Sequence, residues 1–102
     1  MPPIDFGELR RRITIRHVLS LLSFEPTQSQ GSRLRGTCPI HESRRVRKRD
    51  FSIDLDKSRF RCFGCGKGGN QLDLWVFTQD LPLHSAAIDL CHRLGVDIPW
   101  RR

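Results

Sequence analysis

No stretch of the sequence approaches the roughly 18 consecutive apolar residues of a transmembrane helix, so no membrane span is expected. The opening Met1-Pro2-Pro3-Ile4-Asp5 lacks the charged-then-apolar order of a secretory signal, which points to a cytoplasmic protein. No internal repeat is visible. Acidic residues are few, 11 against 18 Lys and Arg, and the net charge of +7 favours a polyanionic partner, of which nucleic acid is the commonest. Solubility alone is the other reading of that charge. Cysteine is scarce too. Four cysteines in a basic, cytosolic-looking chain read as metal ligands rather than as a disulfide framework. At 102 residues the chain has the length of one small domain, residues 1–102, whose modest core a metal would help to hold.

Local patterns divide the chain. Asp5-Phe6-Gly7-Glu8 can cap a short first turn, with Glu8 reaching back to the cap, and the basic run Arg10-Arg11-Arg12 follows. Thr14 is an N-cap candidate for a helix over about 14–23, with Ile15, Val18, Leu19 and Leu22 on one face and Ile13 and Val18 as a hydrophobic staple. The polar stretch Glu25 to Ser32 reads as a loop. Arg33 to Thr37 forms a short strand, and Phe51, Ile53 and Leu55 alternate as a half-buried one. A turn at Asp56-Lys57-Ser58 leads to the partner strand Arg59 to Cys62. Asn70 caps a helix over about 70–79. Pro82 and Gly95 bracket another over 83–94, with Leu83, Ala87, Leu90, Cys91 and Leu94 inward.

Two hooks carry the chemistry. Cys38-Pro39-Ile40-His41 is C-x2-H and Cys62-Phe63-Gly64-Cys65 is C-x2-C. Two residues between ligands let one tight turn aim both side chains at one ion. The 20 residues between His41 and Cys62 suffice for a loop and a hairpin that bring the hooks together. Three thiolates and one imidazole fill a tetrahedral shell and leave no open position, so one structural Zn2+ is expected on Cys38, His41, Cys62 and Cys65. Iron is the alternative that three sulfurs would accept. Cys91, on an apolar helix face, reads as a buried thiol. His17, His84 and His92 have no partner at ligand spacing. The zinc deaminase pattern fails, because Glu42 follows His41 directly and no proline precedes Cys62.

Cys38-Pro39-Ile40-His41, Phe51-Ser52-Ile53, Phe60-Arg61-Cys62-Phe63-Gly64-Cys65-Gly66 and Gly68-Gly69-Asn70 before an apolar helix together resemble the zinc-binding domain of bacterial DNA primases. The resemblance covers most of residues 6–99. It implies a small α+β fold: a zinc ribbon over 33–66, a short antiparallel sheet with two zinc knuckles, flanked by N-terminal and C-terminal helices. It also implies binding of single-stranded template in primer synthesis, with Cys38, His41, Cys62 and Cys65 matching the family's zinc ligands. The sequence departs from the pattern after His41, where Arg44-Arg45-Val46-Arg47-Lys48-Arg49-Asp50 replaces a shorter link. Primases of this family polymerise RNA in a separate domain with acidic metal ligands, for which 102 residues leave no length, so no catalysis by this chain alone is expected. Asp54-Leu55-Asp56 reads as a turn. Met1 and the closing helix favour a stand-alone module over an excised domain.

For nucleic acid, the expected contacts are Phe63 as a stacking platform, with Arg35, Arg59, Arg61 and Lys67 near the hairpin in sequence, and Arg44, Arg45, Arg47, Lys48 and Arg49 as a clamp on the backbone. Phe51 should face inward. A primase catalytic domain or a helicase in trans would be the protein partner. The competing reading is a zinc-ribbon adaptor for a protein of the replication or mobile-element machinery, docking through Trp75, Trp100 and the apolar helix.

Overall fold

A computed structural model describes residues 3–40 and 50–101. Four helices and a five-stranded antiparallel sheet lie among them: α1 (Phe6–Arg12), α2 (Ile15–Leu21), β1 (Gln28–Gln30), β2 (Arg33–Gly36), β3 (Phe51–Asp54), β4 (Arg59–Cys62), β5 (Gly68–Gly69), α3 (Gln71–Gln79) and α4 (Leu83–Leu94). The strands neighbour one another in chain order. None of these helices is long and apolar enough to cross a membrane.

Asp5 caps α1 by accepting from the Glu8 N–H at 3.0 Å. The expected return contact from Glu8 does not form. The Asp5 N–H already donates to the Pro99 carbonyl at 2.7 Å, where Ile4 bridges to Trp100, and Glu8 instead takes Arg11 at 2.8 Å and Arg12 at 3.1 Å. The helix therefore runs through the arginine run rather than ending after one turn. Thr14 caps α2, with Ile13 and Val18 both buried beside the cap. His17 completes a capping box there, its Nδ1 accepting from the Thr14 N–H at 3.0 Å.

The segment read as a loop contains β1. Gly31 (φ 60°) and Ser32 close a tight hairpin that pairs Gln30 with Arg33, glycine standing where a type II′ turn needs it. All three β1 residues are exposed, so the strand carries no apolar alternation to announce it. The sheet thus extends beyond 33–66 on both sides, to Gln28 and Gly69.

Alternation sorts the central strands. Phe51 and Ile53 of β3 and Phe60 and Cys62 of β4 are buried, while Arg33, Arg35, Arg59 and Arg61 are exposed. Beneath the sheet, rings step from Phe24 to Phe51 (5.5 Å), to Phe60 (5.6 Å) and to Phe77 (6.3 Å). Asp54 fastens the β3–β4 turn, its Oδ1 accepting from the N–H groups of Asp56 and Lys57. The D-x-D string is thus an Asx-type turn.

Asn70 and Asp73 form a capping box on α3, the Asp73 carboxylate accepting from the Asn70 N–H at 2.9 Å. A Cβ at Gly69 would collide with that carboxylate, and Gly69 has φ 150°, so both the space and the backbone call for glycine. Gln71 is buried, and its Nε2 donates to the Arg10 and Ile13 carbonyls, satisfying the C-terminal end of α1. In α4 the buried residues are Ala86, Ala87, Leu90 and Cys91. Leu83, expected inward, is 43% exposed in the first turn, while Ala86 and Ala87 in the following turn are buried. Trp75 is buried, its Nε1–H donating to Asp89 at 2.9 Å, while Arg93 pairs with Asp89 and covers the indole.

Gly69→Ala is expected to lower stability by roughly 1–3 kcal/mol, a fall of several degrees in thermal denaturation; an unchanged melting temperature would contradict the role given to Gly69. The Trp75 N–H, and then Arg93, hold the Asp89 carboxyl below its ordinary value of 3.8 against the opposing effect of burial. A lowered carboxylate contributes stability above the ordinary value that fades as pH falls through the folded one. Asp89→Asn keeps an acceptor for Trp75 but loses the charge. Its melting temperature should fall less than that of the wild type between about pH 6 and about pH 3. Parallel curves would contradict this.

Candidate metal centre and nucleic-acid face

The register Gly36↔Phe51↔Cys62 places the ends of β2 and β4 in one row, with β3 between them. Both hooks leave from that end of the sheet. Cys38 stands two residues beyond β2, and the Ile40 N–H donates to its Sγ at 3.4 Å. Cys62 closes β4, its backbone fixed by the Lys67 carbonyl (2.8 Å), while the next N–H, of Phe63, donates to Asp50 (2.8 Å). The Cys65 N–H turns back on the Cys62 Sγ at 3.4 Å, and Gly66 (φ 76°) lets the chain turn away.

The Sγ atoms of Cys38, Cys62 and Cys65 all lie within 4.8 Å of one another. No disulfide joins them. Zn–S bonds of about 2.3 Å in tetrahedral array put sulfurs roughly 3.8 Å apart, a separation compatible with the spread of this cluster. Burial pushes the Cys62 thiol up, but the Cys65 N–H, the Cys38 and Cys65 thiols and the Gly64 N–H outweigh it and hold the thiol below its ordinary value. N–H groups aimed at sulfur favour thiolate, the form that ligates a metal. Among the described residues this is the one group of three or more Cys, His, Asp or Glu side chains that converges in this way. His41, the expected fourth ligand, lies outside the described residues, as do Arg44, Arg45, Arg47, Lys48 and Arg49. Cys91 is fully buried away from the cluster, and burial pushes its thiol above the ordinary value. His84 and His92 are exposed on α4.

Phe63, at the tip of the second hook, is 59% exposed. The guanidinium carbons of Arg35 and Arg61 lie 5.8 and 5.6 Å from its ring centre. These arginines belong to one cross-strand row, Arg35↔Ser52↔Arg61, and the next row is Arg33↔Asp54↔Arg59. Arg33 was not among the expected contacts, although its spacing of two from Arg35 on a strand puts both on one face. The Lys67 Nζ lies 5.1 Å from the centre of the Phe77 ring. Phe51 and Phe60 are both core residues. A shallow cavity of about 530 Å³ opens over β3 and β4 on the outer face, lined in part by Ser52, Arg59 and Arg61.

Residues 3–102 match the CHC2 zinc finger family. The chain belongs to that family. Within this CHC2 zinc finger, the fold is similar to the crystal structure of the Aquifex aeolicus primase comprising zinc-binding and RNA polymerase domains, with a TM-score of 0.73 and 33% identity over 96% of this chain and 23% of that one. The DNA primase of Aquifex aeolicus is 34% identical over 91 residues, 89% of this chain and 17% of that protein. That of Geobacillus stearothermophilus is 32% identical over 98 residues, 96% of this chain and 16% of that protein. This CHC2 zinc finger thus spans only about a sixth of the length of these primases.

Metal content separates the cluster from the remaining cysteine. Cys62→Ala is expected to lose both bound zinc and its cooperative thermal transition, because ligands that converge only in the folded chain link metal binding to folding. Cys91→Ala should keep the metal. Full zinc loading of Cys62→Ala by elemental analysis would remove Cys62 from the site.

Proposed function

We propose that this CHC2 zinc finger binds single-stranded DNA during primer synthesis, on a ribbon held by one structural zinc ion that Cys38, His41, Cys62 and Cys65 ligate. The observation that carries the reading is Phe63, a large apolar ring left 59% exposed beside two guanidinium groups. Single strands are gripped by stacking of bases on aromatic rings beside cationic groups that follow the backbone, at roughly 1–3 kcal/mol per stacked base. Phe63 supplies the ring. Arg33, Arg35, Arg59 and Arg61 supply a cationic face over the strands that lead to it. The arginine-rich segment Arg44 to Arg49 adds further phosphate contacts from its place in sequence between the two hooks.

Kinship with primases supports a role in replication. Polymerisation would fall to an RNA polymerase domain such as the one named in the related Aquifex aeolicus structure, in the same chain or in trans. A helicase is the other candidate protein partner. Such a protein would work in the cytoplasm.

Fluorescence anisotropy with labelled oligonucleotides tests the reading. Single strands should bind more tightly than duplex, since paired bases cannot stack on Phe63. Phe63→Ala should weaken single-strand binding by about 5- to 150-fold, the equivalent of one stacked base. Equal affinity for both forms, untouched by Phe63→Ala, would reduce the interaction to charge attraction and defeat the proposal.

A further inference from the structure

A second cationic concavity lies at the opposite end of β4 from Phe63. It has a volume of about 510 Å³ and is walled by Gly7, Arg10 and Arg11 of α1, by Lys57 and Ser58 of the β3–β4 turn and by Arg59 at the start of β4, with Asn70 and Gln71 also lining it. Among the described residues, no carboxylate lines it. Arg11 is held by Glu8, which offsets its charge. The side chains of Arg10, Lys57 and Arg59 make no hydrogen bond or ion pair among the described residues. Three cations from three separate elements therefore line the cleft, and none of the described residues lining it carries a charge that neutralises them.

Both walls are fixed in advance. The Arg10 carbonyl is tied to the buried Gln71 amide, and the backbone presenting Lys57 is fastened by the Asp54 carboxylate. Preformed walls spare a ligand the ordering cost of a loose loop. Arg59 also lines the outer-face cavity over β3 and β4, so the two concavities lie side by side and share this side chain. From residue 59 to residue 63 an extended strand covers about 13 Å. Asp54, paired across the sheet with Arg59, moderates the charge on the sheet side but does not line the cleft.

We infer that this cleft is a second phosphate-binding site, taking backbone phosphates of the single strand after it has crossed β4 from Phe63 to Arg59. The inference rests on the single-strand reading above and adds a direction to it. The bound strand runs lengthwise along β4 and leaves the ribbon between α1 and the β3–β4 turn, on the far side from the zinc hooks. Short oligonucleotides then fill only the sheet face, and longer ones engage Arg10 and Lys57 as well.

The test is a salt titration of the wild type, the double variant Arg10→Gln/Lys57→Gln, and Phe63→Ala, on single strands of about 4 and about 12 nucleotides. Zinc content and melting temperature report that each variant is folded. For the double variant on the longer strand, the slope of log K against log salt should be shallower by about 1.4, two lost contacts at about 0.7 each. On the short strand its affinity and slope should match the wild type. Phe63→Ala should weaken both lengths. A double variant that matches the wild type on both strands, or loses equally on both, overturns the cleft while leaving the Phe63 face standing. If the wild type binds neither strand, both readings fall.

Discussion

Three sulfurs meeting at one end of the sheet set the geometry of everything around them. Cys38 comes from the end of β2 and Cys62 and Cys65 from the end of β4, strands that are not neighbours, and their Sγ atoms still lie within 4.8 Å of one another. The row Gly36↔Phe51↔Cys62 brings them there, so sheet register and sulfur convergence depend on each other. A one-residue slip of β4 would turn Cys62 to the outer face, and the same slip of β3 would turn Phe51 there. A chain of this size has a modest core, and a metal that ties the two strand ends would resist such slips where packing alone is weakest.

The same constraint separates the two faces by role. Inward residues on β3 and β4 join the line of rings that runs from Phe24 to Phe77 and packs on the helices. Outward residues are polar, and four are arginines. A hook that must point two sulfurs at one spot spends its intervening residues on the turn itself. Phe63 is one of these, which explains how a large ring comes to be exposed beside two guanidinium groups. The Phe63 ring and the arginine rows are thus consequences of the ribbon's geometry, and the proposed strand-binding face follows from them.

Features set by local chemistry were legible in the sequence. Thr14 and Asn70 cap helices as their types require, Gly95 ends α4 in the left-handed region, and alternation assigned Phe51 and Ile53 to the core. The cysteine hooks were readable because ligand spacing is a local rule. Features set by distant partners were not. Glu8 turned to Arg11 and Arg12 because Pro99, from the other end of the chain, had taken the Asp5 N–H. Strand β1 is held by pairing with β2 and by Gly31, with no apolar residue to mark it. Nothing in the composition of α3 marks Gln71 as the residue that satisfies α1. Leu83 had the right spacing for the core but sits in a first turn that opens to solvent.

The most direct test is X-ray absorption at the zinc edge on the folded wild-type protein. The account predicts three sulfur scatterers at about 2.3 Å and one nitrogen at about 2.0–2.1 Å, the shell of three thiolates and one imidazole. A shell with fewer than three sulfurs, or one completed by water oxygen, would contradict it.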